Sequence, residues 1–122
     1  MFLDKLEVEY ILDFDFMDEE DVNKNGHRIC KWLQISNDLY LSVQASAMHY
    51  CIPREYVDLN QYTHFELGVI IEDSLAYNYS ILKDFPRYKE LESYYDYGIF
   101  AYVPKDLIND LYCWAIEHFK ED

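Results

Sequence analysis

The chain has 122 residues, 51% apolar and 18% aromatic, with 24 acidic against 10 basic side chains for a net charge of −14. That length suits one domain, residues 1–122, with a core of its own, and that apolar content excludes disorder, which needs low hydrophobicity together with high charge. No apolar run reaches the length of a membrane span, and a field this negative excludes direct binding of nucleic acid or of an anionic membrane while attracting basic partners, nucleic-acid-binding proteins among them.

Three cysteines, Cys30, Cys51 and Cys113, form an odd set. The start Met1–Glu7 is acidic and lacks the basic n-region of a secretory signal, so the thiols are expected reduced and the protein cytoplasmic.

Residues 1–21 hold nine acids and one base. Leu6, Val8, Tyr10, Leu12, Phe14 and Phe16 alternate with Glu7, Glu9, Ile11, Asp13 and Asp15, the period of a strand with an apolar and an acidic face. Carboxylates two residues apart on a strand stand ~6.6 Å from one another, close to the spacing of two phosphates on one DNA strand. A row of this kind can meet Lys and Arg side chains built for a phosphate backbone. The same pattern is also that of a solvated strand face.

Asp18–Gly26 reads as an acidic turn with Asn23, Asn25 and Gly26. His27–Ile35 is expected as a second strand, Ser36–Asp38 as a tight turn, and Leu39–Ala47 as a central strand that runs into a polar corner of His49, Cys51, Pro53 and Arg54. Tyr62–Ile71 is rich in β-branched and aromatic residues and reads as a fourth strand. Within the irregular stretch 72–96, residues 85–94 suit a short helix with Pro86 in its first turn. Gly98–Val103 is a short fifth strand. From Pro104 to about Phe119, Leu107, Leu111, Trp114, Ala115 and His118 recur at helical spacing beside Ile108 and Tyr112. The expected fold is α+β: an antiparallel sheet of about five strands with a C-terminal helix packed on one face.

Three constellations bear on chemistry. His27, Cys30, His49 and Cys51 have the ligand types of a tetrahedral zinc site, without the Cys-x-x-Cys spacing of common zinc modules; a buried thiol beside a hydrogen-bonded histidine explains the same residues. Cys51 with His49 or His64 could form a thiol–imidazole pair. Glycines are few, and neither a phosphate loop nor a dinucleotide fingerprint is present, so the chain is not expected to be an enzyme. Thirteen tyrosines suit an interface that grips a basic partner, since Tyr offers a large contact area with a polar tip and Arg stacks on its ring. A Tyr-lined pocket with Arg28, Arg54 or Arg87 could instead hold a nucleotide.

Ser42-Val-Gln-Ala-Ser46, His49-Tyr-Cys-Ile-Pro-Arg54, Tyr62-Thr-His-Phe-Glu66 and Tyr102-Val-Pro104 resemble a family of small uncharacterised proteins encoded by phages and mobile elements, over residues 39–67 and 98–119. In size, acidity and tyrosine content the chain is similar to phage anti-CRISPR proteins that inhibit type II effector nucleases. The resemblance implies an inhibitor in the host cytoplasm that binds a basic, nucleic-acid-binding defence protein and blocks nucleic-acid loading. Glu7, Glu9, Asp13, Asp15, Glu19 and Glu20 are the expected contact residues. A sponge for a nucleotide signal and a zinc-stabilised binding module are the alternatives, and a homodimer is left open.

Overall fold

The computed structural model describes residues 1–11 and 26–120. The expected strand residues from Leu12 to Phe16 and the acidic turn up to Asn25 lie outside them. The fold is α+β, with antiparallel sheets and a C-terminal helix against the larger one. Strand β1 (Val8–Ile11) pairs with β2 (Arg28–Cys30) in a two-stranded ribbon. The larger sheet runs β3 (Leu33–Gln34), β4 (Leu39–Gln44), β5 (His64–Ile71), β8 (Ile99–Pro104), β7 (Tyr95–Asp96), with β6 (Ser74–Leu75) paired to the end of β5. Helix α1 spans Tyr88–Glu92 and α2 spans Lys105–His118. No helix among the described residues is long and apolar enough to cross a membrane.

The pattern that predicted β4 also sets its packing. Leu39, Leu41 and Val43 point into the core, against Phe65, Leu67 and Val69 of β5 and Phe100 and Val103 of β8. Leu107, Ile108, Leu111 and Ala115 line the buried stripe of α2, and Phe2, Leu82 and Leu91 close the core. Each fully buried Leu, Ile or Phe contributes about 1.5–3 kcal/mol. Trp114 and His118, expected on that stripe, lie at its margin, with the His118 ring stacked on Trp114 at 4.4 Å and the Trp114 ring 5.4 Å from Phe85.

Two expectations about the strands are corrected. The centre of the sheet is β5, the middle strand of the order β3-β4-β5-β8-β7, and β4 beside it ends at Gln44 rather than at Ala47. The run His27–Ile35 is broken at Lys31–Trp32 into β2 and β3, which belong to different sheets. The register of β3 on β4, Leu33 opposite Leu41 and Gln34 opposite Tyr40, extrapolates to Cys30 opposite Gln44. There the backbone ladder is replaced by a side chain. The Gln44 amide accepts from Cys30 N–H at 2.8 Å and donates to Cys30 C=O at 2.9 Å. One glutamine thus satisfies both backbone groups of a strand residue and joins the ribbon to the sheet.

Candidate functional site

The polar corner after β4 folds back on itself. Ser46 Oγ lies 2.7 Å from His49 Nδ1 and accepts from Met48 N–H at 3.2 Å. The Cys51 thiol donates toward Ser46 C=O at 3.1 Å. Glu66 on β5 approaches His49 Nε2 at 3.9 Å. His49 is 7% exposed, and burial, followed by the neighbouring charges of His27, Arg28 and Arg54, lowers its pKa to about 4. At neutral pH the imidazole is uncharged, so the approach of Glu66 is not an ion pair. Burial pushes the Glu66 carboxyl up, with a backbone hydrogen bond from Tyr50 and the Arg54 charge acting the other way.

Arg28 lies beneath this corner and is 5% exposed. Its Nη2 donates to Ala45 C=O at 2.8 Å and to Tyr62 Oη at 3.1 Å, and its guanidinium lies 4.7 Å from the Tyr56 ring centroid. Arg28 Nε has no hydrogen-bond partner among the described residues. Tyr62, fully buried, also accepts from Val57 N–H and donates to Glu55 C=O, so one phenol anchors the 54–61 loop and orients Arg28. Ser46, His49, Cys51 and Glu66 therefore converge on this one corner, with Tyr62 tied to it through Arg28.

The four residues singled out as zinc ligands are brought partly together. The His27 and His49 rings are 5.2 Å apart. Cys30 and Cys51 are both fully buried, and burial pushes both thiols up. Among the described residues no group of three or more His, Cys, Asp or Glu side chains converges as a metal-binding set. His64 turns to Thr63, with Nδ1 2.7 Å from Oγ1, and Ser46 and Cys51 are fully buried.

The surface has a different chemistry. Arg87 on the approach to α1 is bound to Glu90, Asp106 and Asp110, Lys31 pairs with Glu7 at 3.3 Å, and Arg54 stacks on Tyr50 at 5.0 Å. Of the arginines considered for a nucleotide, Arg28 and Arg54 both lie near the His49 corner, each engaged there, and Arg87 is engaged by α1 and α2. Exposed carboxylates at Glu9, Asp38, Glu55, Asp58, Glu72, Asp73, Asp84, Asp96 and Glu117 form no ion pair with a described cation. Of the expected contact residues, Glu7 just before β1 and Glu9 on it are exposed, while Asp13, Asp15, Glu19 and Glu20 lie outside the described residues. Val8 is exposed as well and the register shifts between Val8 and Tyr10, so the simple alternation expected there does not hold.

Exposed aromatic residues accompany the acids. Trp32 stands beside Tyr40 at 5.9 Å, and Tyr50 beside Tyr102 at 5.8 Å. Tyr102 has φ +57° at an irregularity in β8, which the sequence did not signal. Trp32 lies at the Lys31–Trp32 break between β2 and β3, exposed on the same side as Gln34 and Tyr40. No protein-family model, curated protein or solved structure matches this chain.

Proposed function

We propose that this protein is a phage-type anti-defence inhibitor that binds a basic, nucleic-acid-binding host protein, a type II CRISPR effector nuclease first, and blocks its loading with nucleic acid. The observation that carries this reading is the imbalance at the surface. Arg28 is buried, Arg87 is occupied by three acids and Lys31 by one, whereas nine exposed carboxylates of the described residues form no ion pair with a described cation. A partner lined with Lys and Arg supplies the missing counter-charges, and carboxylates interspersed with aromatic rings pair with and stack against arginine. Binding through such a surface competes with a phosphate backbone for the same cations.

The test mixes the purified protein with a type II effector nuclease and, in parallel, with a restriction endonuclease. Guide-RNA or DNA loading is followed by fluorescence anisotropy across a salt series. Reduced loading that recovers as salt rises is the expected result. Unchanged loading of both enzymes at low salt overturns the proposal.

A further inference from the structure

Building on that reading, we infer that the groove beside Trp32 receives an arginine side chain of the basic partner. The groove encloses about 300 Å³ and is lined by Glu9, Lys31, Trp32, Tyr40 and Asp73. Trp32 is 43% exposed at the break between β2 and β3, with its ring beside Tyr40 on the side of the sheet away from the buried Leu33 and Leu41. Tyr40 projects from β4 beside it, and the two rings meet at 55°. The result is a shallow aromatic cleft with one indole and one phenol.

Its rim is acidic from two independent directions. Glu9 comes from the irregularity in β1, and Asp73 from the two-residue turn joining β5 to β6. Both are exposed, and neither pairs with a described cation. Asp38 and Glu72 stand close behind, since Glu72 N–H donates to Asp38 C=O at 3.0 Å. The one cation of the lining, Lys31, is held by Glu7 at 3.3 Å, which offsets its charge.

This combination selects among cations. A guanidinium is planar and weakly hydrated, so it can stack on the indole while its N–H fork reaches a carboxylate; a lysine ammonium is compact, more strongly hydrated and lacks the fork. Phosphates and acidic peptides are repelled by the same rim. The occupant is therefore an arginine presented by a basic surface, and the groove is the point at which a diffuse negative field becomes a directed contact.

The chain has two tryptophans, so Trp114→Phe leaves Trp32 as the single indole reporter. A flexible Gly-Ser peptide carrying spaced arginines is titrated into that variant at low salt while emission is recorded, and a peptide with lysines at the same positions serves as comparison. Saturable change with the arginine peptide and weaker binding of the lysine peptide are expected. By calorimetry, Trp32→Ala lowers arginine-peptide affinity about two- to fivefold, the range of an exposed cation–π contact. Glu9→Gln and Asp73→Asn weaken it more than Asp84→Asn or Glu117→Gln, whose side chains do not line the groove. Thermal melts confirm that each variant is folded. Arginine-peptide binding that is indifferent to Trp32→Ala, or no stronger than lysine-peptide binding, overturns the groove and leaves the proposed function resting on the overall field. Absence of binding by both peptides at low salt overturns both.

Discussion

Gln44 and Cys30 are joined by two hydrogen bonds that replace a rung of backbone ladder, the Gln44 amide bonding to both Cys30 N–H and Cys30 C=O. Only a side-chain amide supplies donor and acceptor at this reach. Gln44→Glu keeps the shape and the acceptor but loses the donor, and Gln44→Leu loses both. Each is expected to destabilise the fold by about 1–3 kcal/mol, the cost of leaving a buried polar group without a partner. Urea unfolding gives the stability, and amide exchange at Cys30 locates the loss.

His49 sets an acid limit on stability. Its folded pKa of about 4 lies below the ordinary value of 6.5, so between these limits the unfolded chain binds the proton and the folded chain does not. Stability contributed by the neutral ring is complete above pH 6.5 and is lost as pH falls toward 4. Glu66 acts in the opposite sense: its folded pKa is raised above 4.5, so its contribution is present at low pH and lost as pH rises. His49→Gln should remove up to about 3 kcal/mol of the acid-limb dependence, as read from denaturation midpoints across pH 4–7. An unchanged acid limb in that variant would show that another group governs it.

Arg87 ties α1 to α2 through Glu90, Asp106 and Asp110. These hydrogen bonds and ion pairs hold its guanidinium firmly in the charged form, further up than usual. The site is partly exposed, so Arg87→Ala is expected to cost only about 1 kcal/mol at low salt. Repeating the melts in molar salt should shrink the difference, because screening already weakens the network in the parent protein.

The turn between β7 and β8 consists of Tyr97 and Gly98, both at positive φ, +46° and +100°. Gly98 has a second constraint, since a Cβ there would lie 2.7 Å from Tyr77 Cε1. Gly98→Ala is expected to destabilise by about 1–2 kcal/mol. Tyr97 is 95% exposed in a left-handed conformation that favours Asn and Gly, so Tyr97→Asn should raise the melting midpoint.

The fold class was legible because its main signals are local. Alternation in Leu39–Val43 and the helical stripe Leu107, Ile108, Leu111 and Ala115 each reflect one element and one buried face. What stayed hidden depends on partners distant in sequence. Gln44 occupies the polar phase of a strand and reads as solvated, yet it is buried because Cys30 lies across from it. Arg28, a candidate to hold a nucleotide in a Tyr-lined pocket, is enclosed by Ala45 C=O, Tyr56 and Tyr62. His49 and Cys51 stood out as a pair, but their side-chain bonds run to Ser46, three and five residues away, rather than to each other's side chains. The strand break at Lys31–Trp32 was announced by no proline or glycine.

Glu72 and Asp73 form the turn between β5 and β6 at φ +52° and +65°. Asn-Gly is the sequence that fits such a turn best, and installing it should stabilise the hairpin by about 0.5–1 kcal/mol. It would also erase two exposed carboxylates, one of them on the rim of the Trp32 groove. The natural turn thus sits at a compromise. Selection for thermal robustness alone would drive this position toward a sturdier protein with a weaker grip, and a library sorted separately for melting temperature and for arginine-peptide binding should yield opposite solutions at residues 72–73.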